Sequence, residues 1–166
     1  MKKIALLLAI VSIGISCRRE GPPGPPGPRG PGANFTILNA TVMPSDWQPF
    51  GNPGEPDFQY VAVFNAPEIT QSVFNSSLVV GYIIDNNIAF ILPNTINYGD
   101  YITEYSMIHT VGSIEFIAKD SDLFTEAPEF PIDFRVYIIS SSARIDGMEN
   151  WDMEELEEYL EKMEAE

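Results

Sequence analysis

The sequence predicts a mainly β domain, an antiparallel β-sandwich or a partly open barrel of about seven strands, with a short helix and a C-terminal acidic amphipathic helix. Between 33 and 147, short segments rich in β-branched and aromatic residues alternate apolar and polar positions, which is typical of half-buried strands. Turn signals containing Asn, Asp or Gly separate these segments. From residue 148 onward the apolar spacing becomes that of a helix.

Composition excludes several classes of function. The chain has 166 residues, with 24 acidic and 9 basic side chains and a net charge of −15. Binding to nucleic acid needs clustered Lys and Arg, so we expect no nucleic-acid partner. The single Cys excludes a disulfide framework and a Cys-cluster metal site. The single His leaves little for a His-based metal centre or for acid–base catalysis, and we expect no cofactor.

The first sixteen residues are predicted to be a secretory signal peptide. Two lysines precede the twelve-residue run Ile4–Ile15, in which Ser12 alone is polar. As a helix this run is about 18 Å long, too short for the roughly 30 Å hydrocarbon core of a bilayer. Gly14-Ile15-Ser16-Cys17 follows and resembles the lipobox of bacterial lipoproteins, although Gly14 stands where Leu is usual. The resemblance implies cleavage before Cys17 and acylation of its thiol. The alternative is an ordinary signal peptide followed by an unmodified cysteine.

Residues 17–32 are predicted to be a spacer between this signal and the domain. Gly occupies every third position of the segment 21–32, which also contains six of the fourteen prolines of the chain. This composition is collagen-like. One interpretation is a single-chain polyproline II spacer of about 37 Å. The other is a short triple helix, which makes the protein a homotrimer. Four triplets are few for an isolated triple helix, which favours the single-chain spacer.

Strands of the domain, predicted for 33–147, are indicated by period-two alternation and by turns. The Asp85-Asn86-Asn87 turn favours a hairpin because Asn and Asp tolerate a left-handed backbone. Gly112-Ser113 indicates a second hairpin. The predicted strands are 35–43, 59–64, 78–84, 88–92, 101–111, 114–118 and 134–139.

Two segments interrupt the strand pattern. Within 67–75 the apolar residues are spaced for one or two helical turns laid against a sheet end. Between 44 and 57 the chain contains four prolines and two glycines, which predicts a loop. We expect Trp47 and Phe50 to attach this loop to the core.

Residues 148–166 are predicted to form an acidic helix. Asn150 is a suitable N-cap, and acidic residues in the first turn suit the helix dipole. The apolar residues at helical spacing are Met153, Leu156, Tyr159, Leu160 and Met163. One interpretation is a helix whose apolar stripe packs on the β domain or on a second copy. The other is a protruding helix that docks a basic partner or collects divalent cations. The candidates for partner docking are Trp151, Leu156, Tyr159 and Leu160.

Candidate catalytic and metal-binding residues are few. His109 lies in a predicted strand, and the chain contains no Gly-Xaa-Ser-Xaa-Gly motif, so a structural or an exposed histidine is expected. Asp120 and Asp122 alternate as in some calcium-binding loops, and Glu126 and Glu129 add oxygens if the loop folds back. The segment lacks the glycine and the distal Glu of an EF-hand, which leaves Asp120 and Asp122 as weak calcium candidates. No catalytic residue is assigned.

The layout of the chain resembles that of collagen-like lipoproteins of gram-negative bacteria: a lipobox cysteine, a few Gly-Xaa-Yaa triplets and then a β-rich domain. The resemblance covers roughly Cys17 to Arg144. It is specific in layout and modest in each motif, and it implies an envelope-anchored β domain without assigned catalytic residues. The segments that resemble the family are Ile69–Val73, Leu78–Ile84, Phe90–Pro93, Gly112–Phe116 and Phe134–Ile139.

The function expected from these observations is that of a non-enzymatic, lipid-anchored cell-envelope protein. The resemblance implies an outer-membrane lipoprotein, on its periplasmic or its surface face, whose β domain interacts with a protein or a glycan. One alternative is a structural trimer held by the collagen-like segment. Another is an envelope hydrolase, whose paired carboxylates or Ser–His pair would have to meet in a cleft.

Overall fold

A computed structural model describes residues 35–143 and 146–164, with the backbone alone for residue 164. The predicted signal peptide 1–16, Cys17 and the spacer to residue 32 lie outside the described residues.

Nine strands form two antiparallel sheets, which confirms the β-sandwich. The four-stranded sheet has the order β1-β9-β4-β5, and the five-stranded sheet has the order β2-β3-β8-β7-β6. No strand of one sheet pairs with a strand of the other among the described residues. The strands are β1 Phe35–Val42, β2 Gln48–Phe50, β3 Gln59–Ala66, β4 Leu78–Asp85, β5 Ile88–Ile91, β6 Asn94–Asn97, β7 Ile102–Thr110, β8 Gly112–Asp120 and β9 Ile132–Ile139.

Seven of these strands match the predicted ones, and both predicted hairpins are present. Asn86 and Asn87 have positive φ angles of 47° and 66°, so the turn between β4 and β5 uses the left-handed backbone that Asn tolerates. Gly112 has a φ of 85° in the turn between β7 and β8. The short strands β2 and β6 were not predicted, because three or four residues carry little alternation and, unlike β5, they do not follow a recognisable Asn turn.

The core between the sheets is organised around a pair of phenylalanines. Phe116 of β8 and Phe134 of β9 stack with ring centroids 3.9 Å apart and an interplanar angle of 15°. They are 0% and 2% exposed, and they join side chains from both sheets in one buried cluster. Alternation along β8 buries Ile114, Phe116 and Ala118 in this cluster. Because side chains alternate between the two faces of a strand, one face of each sheet packs in the core.

The first helix and the loop before β3 differ from the prediction in detail. Helix α1 spans Gln71–Ser76, and its N-cap is Thr70, whose hydroxyl accepts a hydrogen bond from the Val73 amide at 3.3 Å. Trp47 is buried in the core, as expected. The prediction for Phe50 was wrong: its side chain is 58% exposed, because it lies in the edge strand β2, whose three residues are all exposed.

The second helix, α2, spans Met153–Glu164. Asp152 Oδ1 accepts from the Glu155 amide at 2.9 Å, and Glu155 Oε2 accepts from the Asp152 amide at 3.3 Å. This reciprocal pair is a capping box. The N-cap is therefore Asp152, which corrects the prediction of Asn150, because Asn150 belongs to a preceding 3-10 turn, Met148–Asn150. No helix within 35–143 or 146–164 has the length and apolar character needed to cross a membrane.

Helix α2 covers the outer face of the four-stranded sheet. Leu156 and Leu160 are fully buried there against Val80, Tyr82 and other side chains of β4 and β9. The interpretation of α2 as a helix packed on the β domain is thus confirmed for its apolar stripe. Strand β9 consequently has apolar partners on both faces, with the five-stranded sheet on one side and α2 on the other.

Polar contacts join α2 and the residues before it to the same sheet. Glu157 Oε1 accepts from Arg135 Nη1 at 3.0 Å and from the Tyr137 hydroxyl. The Tyr82 hydroxyl donates to the Trp151 carbonyl oxygen at 2.7 Å. Because these donors sit beside the apolar stripe, they determine how α2 is placed along the sheet.

Truncation of the stacked pair tests the core. Phe134→Ala removes a fully buried ring and should lower the free energy of unfolding by about 3–5 kcal/mol, measured by urea denaturation. Val63→Ala is the control, because Val63 is exposed, and it should change the free energy by at most about 0.5 kcal/mol. Equal effects of the two substitutions would contradict the assigned core.

Truncation under α2 tests its docking. Leu156→Ala should lower the free energy of unfolding by about 2–5 kcal/mol and increase proteolysis within 153–164. Glu158→Ala is the matched control on the solvent side of α2, where it removes only an exposed ion pair with Lys162. Because this pair is exposed to solvent, its loss should leave the free energy of unfolding essentially unchanged. Unchanged stability and proteolysis in Leu156→Ala would refute the packing of α2.

Candidate functional site

A cavity of about 620 Å³ opens at one end of the sandwich. Strands β4, β6 and β8 end here, and β7 and β9 begin here, because antiparallel pairing places the end of one strand beside the start of the next. The register shows this directly: Ile84 pairs with Asp133, and Asp120 pairs with Thr103. The segment 126–131, between β8 and β9, forms the remaining wall. The volume of the cavity is within the range of ligand-binding pockets.

The charged side chains of the cavity are all acidic. Asp85, Asp120, Glu126 and Glu129 line it, and no Lys, Arg or His of the described residues does. Glu126 and Glu129 were expected to approach Asp120 if the loop folded back, and the structure places them on the wall of the same cavity.

Asp120 is the most enclosed of these four acids, at 7% exposed. Its Oδ1 accepts from the Thr103 hydroxyl at 2.5 Å, and its amide donates to the Thr125 hydroxyl at 2.9 Å. Both threonines are buried. Among the described residues, no hydrogen bond is made to the other carboxylate oxygen, Oδ2. The carboxylate is therefore held through one oxygen, and Oδ2 makes no hydrogen bond within the described residues.

Aromatic side chains also line the cavity. Tyr98 and Tyr101 stack with centroids 5.3 Å apart and an interplanar angle of 27°. The turn between them places both rings together: the Tyr98 amide donates to the Tyr101 carbonyl at 3.0 Å, and Gly99 has a φ of 94°. Tyr98 is 56% exposed and Phe130 is 74% exposed, whereas Tyr105 is buried. The cavity thus has exposed rings together with acids and a buried ring.

Two tyrosines report the electrostatic character of the cavity. Burial first, and then the neighbouring Tyr98 and Asp120, raise the pKa of Tyr105 to about 12. The pKa of Tyr101 is also raised, by partial desolvation first and then by Asp120. A negative environment disfavours the tyrosinate, and the same environment favours a cation.

The two weak calcium candidates lie in different environments. Asp120 lines the cavity, whereas Asp122 Oδ1 accepts from the Phe124 amide at 2.9 Å in an exposed turn. No group of three or more His, Cys, Asp or Glu side chains in the part of the chain that the structure describes could hold a metal ion.

His109 packs against Phe74, with ring centroids 5.6 Å apart in an edge-on arrangement. Burial lowers the pKa of His109. No hydrogen bond joins it to a serine or a carboxylate of the described residues. This environment is that of a packing side chain.

The four docking candidates on the acidic helix divide into two groups. Leu156 and Leu160 are buried against the sheet, which corrects the prediction for these two, because their apolar surface is already covered by this chain. Trp151 and Tyr159 lie partly exposed in an edge-on pair with centroids 5.5 Å apart. Cys17, the predicted lipidation site, lies outside the described residues.

Sequence reasoning missed the aromatic members of the cavity. Three tyrosines, Tyr98, Tyr101 and Tyr105, lie within eight residues, and this local density could have indicated an aromatic cluster. Asp85 and Phe130, in contrast, come from turns distant in sequence. Their position depends on which strand ends meet, and a local pattern does not contain that information.

The raised pKa of the buried Tyr105 predicts that the domain loses stability at alkaline pH. An ordinary tyrosine has a pKa of 10.0, whereas Tyr105 stays protonated up to about 12, so the unfolded state is favoured as pH rises through this window. The full stability should be present below pH 10. Tyr105→Phe should flatten the decline between pH 10 and 12 in chemical denaturation, although not abolish it, because burial also raises the pKa of Tyr82 to about 12. Val63→Ala should leave the slope unchanged, and an identical slope in Tyr105→Phe would contradict the assignment.

Comparison with known proteins does not identify a relative. The chain has no significant match among protein-family models, curated protein sequences or solved structures. The resemblance to collagen-like lipoproteins therefore stays a prediction from the layout of the sequence.

Proposed function

We propose that this chain is a lipid-anchored, non-enzymatic protein of the bacterial cell envelope whose β-sandwich binds a protein or glycan ligand through its end cavity. The observation that carries the binding part is the cavity itself. It has the volume of a ligand site, and it combines exposed aromatic rings with carboxylates.

The anchor part of the proposal rests on the N-terminal sequence. Cys17 is the single cysteine of the chain and directly follows the apolar run Ile4–Ile15 and the small residue Ser16. Cleavage before it would remove two lysines and no acid, which changes the net charge from −15 to −17. Such a charge repels an anionic membrane surface. A spacer over 17–32 would then hold the domain away from the membrane that carries the lipid.

A binding role is favoured over catalysis by the surroundings of the nucleophile and base candidates. The single histidine, His109, contacts the ring of Phe74, and the hydroxyls of Ser140 and Ser142 bond to each other at 2.8 Å. A Ser–His mechanism needs these two residue types in contact. The hydrolase alternative would gain support if the purified chain cleaved a polysaccharide, and loss of that cleavage in Asp120→Asn would locate it in the cavity.

Lipidation is tested by metabolic labelling in a bacterial host. The full chain should incorporate labelled palmitate and fractionate with membranes, because the Cys17 thiol is the predicted acylation site. Cys17→Ser should lose both properties. Arg19→Ser, which alters a nearby residue and keeps the thiol, is the control and should retain them.

The decisive outcome is the comparison of the two variants. Equal labelling of Cys17→Ser and the unaltered chain would remove the anchor and the envelope placement. Mass spectrometry of the mature N-terminus should find Cys17 as the first residue with fatty chains attached.

A further inference from the structure

We infer that the end cavity binds an organic cation, an alkylammonium or guanidinium group, such as the end of a lysine or arginine side chain or of a free amine. This inference rests on the proposed function insofar as it names the ligand class of the same cavity. It does not depend on whether Cys17 carries a lipid.

The first argument is the uncompensated charge of the cavity. Four carboxylates line it, and no described basic side chain does. The Lys and Arg residues of the described part of the chain are engaged elsewhere. Lys119 Nζ donates to the Pro56 carbonyl at 2.6 Å, Arg135 pairs with Glu157, and Lys162 pairs with Glu158. The structure therefore supplies no counter-charge of its own to the cavity, and an external cation is the ligand that does.

The second argument is the carboxylate of Asp120. It is 7% exposed, and the Thr103 hydroxyl holds one of its oxygens. The other oxygen has no partner among the described residues. Because Oδ2 is not among the buried side-chain atoms that lack a partner, it stays in contact with solvent and can accept a hydrogen bond from a ligand in the cavity. An ammonium or guanidinium group donates several hydrogen bonds and carries the complementary charge, so it satisfies this oxygen directly.

The third argument is the aromatic rings. The stacked Tyr98 and Tyr101 rings lie among the same lining residues as Asp120. A cation over the face of a tyrosine is attracted by the ring quadrupole. Phe130 is 74% exposed on the same lining and offers apolar surface for the alkyl stem of the ligand. Rings and carboxylates together match a ligand with a charged head and an apolar stem.

A neutral glycan fits these observations less well. Sugar rings also stack on tyrosine, but hydroxyl groups bring no charge to set against four carboxylates. The cavity volume of about 620 Å³ accommodates a single long side chain with its flanking peptide. The charge of the site therefore decides between the two ligand classes.

The experiment is a methyl-detected NMR titration of the full-length chain in detergent. The probes are Nα-acetyl-lysine methylamide, Nα-acetyl-arginine methylamide and butylamine, with the uncharged Nα-acetyl-norleucine methylamide and chitobiose as comparison ligands. Methyl signals of the lining residues Ile83, Ile96 and Ile132 should shift saturably with the cationic probes, whereas that of Ile108, outside the cavity lining, should not.

Variants locate the binding site. Asp120→Asn should weaken the cationic probes at least about tenfold, as expected for a lost charged hydrogen bond. Because Asp120 is buried, Glu129→Gln and Tyr98→Ala provide tests at more exposed positions, and Tyr98→Ala should weaken binding about threefold. Glu104→Gln is the matched control, since it removes an exposed carboxylate outside the cavity lining, and it should leave the affinity unchanged.

The outcomes separate the possible ligands. Tighter binding of the Nα-acetyl-lysine or Nα-acetyl-arginine methylamide than of butylamine supports a polypeptide ligand. Equal binding of these probes supports a free amine. Stronger shifts with chitobiose or with the norleucine derivative, or equal weakening by Glu104→Gln and Glu129→Gln, would overturn the inference. These results leave the palmitate labelling of Cys17 untouched, so failure here is distinguishable from failure of the proposed anchor.

Discussion

The burial of β9 on both faces is the constraint on which the rest of the molecule depends. Its inner face carries Phe134, which stacks on Phe116 of the opposite sheet, and its outer face carries Tyr137, which lies under α2. The strand also pairs with β1 and β4 on its two edges. Sheet pairing, sheet packing and helix docking therefore meet in one segment, and a change in its register would displace all three at once.

The cavity is a consequence of this arrangement. Strands that are held in register by the central core end close together at one end of the sandwich, where the connecting turns contribute polar and aromatic side chains. The Asp120 carboxylate accepts from Thr103 of the neighbouring strand β7, and the Asp120 amide donates to Thr125 of the following loop, so both the sheet and the loop position this residue. A site built at strand ends is rigid on the side of the sheets and variable on the side of the turns, which is a common way for a β-sandwich to present a ligand site.

Charge is distributed unevenly over the described part of the molecule. The arginine at 135 and the lysines at 119 and 162 have partners away from the cavity, and the charged side chains that line the cavity are all acidic. The acidic residues of α2 are largely at the surface, whereas its apolar stripe is buried against the sheet. The acidic helix is therefore a structural layer of the domain, and the end cavity is the place where carboxylates lie beside partly exposed aromatic rings.

The sequence by itself determined the β class, seven of the strands, both hairpins and the amphipathic helix, because these follow from local periodicity and from turn residues such as Asn86 and Gly112. It also indicated Asp120, Glu126 and Glu129, although as a calcium loop. Tertiary structure decided that Leu156 and Leu160 are buried, that Phe50 is exposed and that Asp85, Tyr98 and Phe130 share a cavity with Asp120. Such neighbours come from strand pairing over long sequence separations, and pairing is governed by the packing of the whole core, which no local pattern of residues contains.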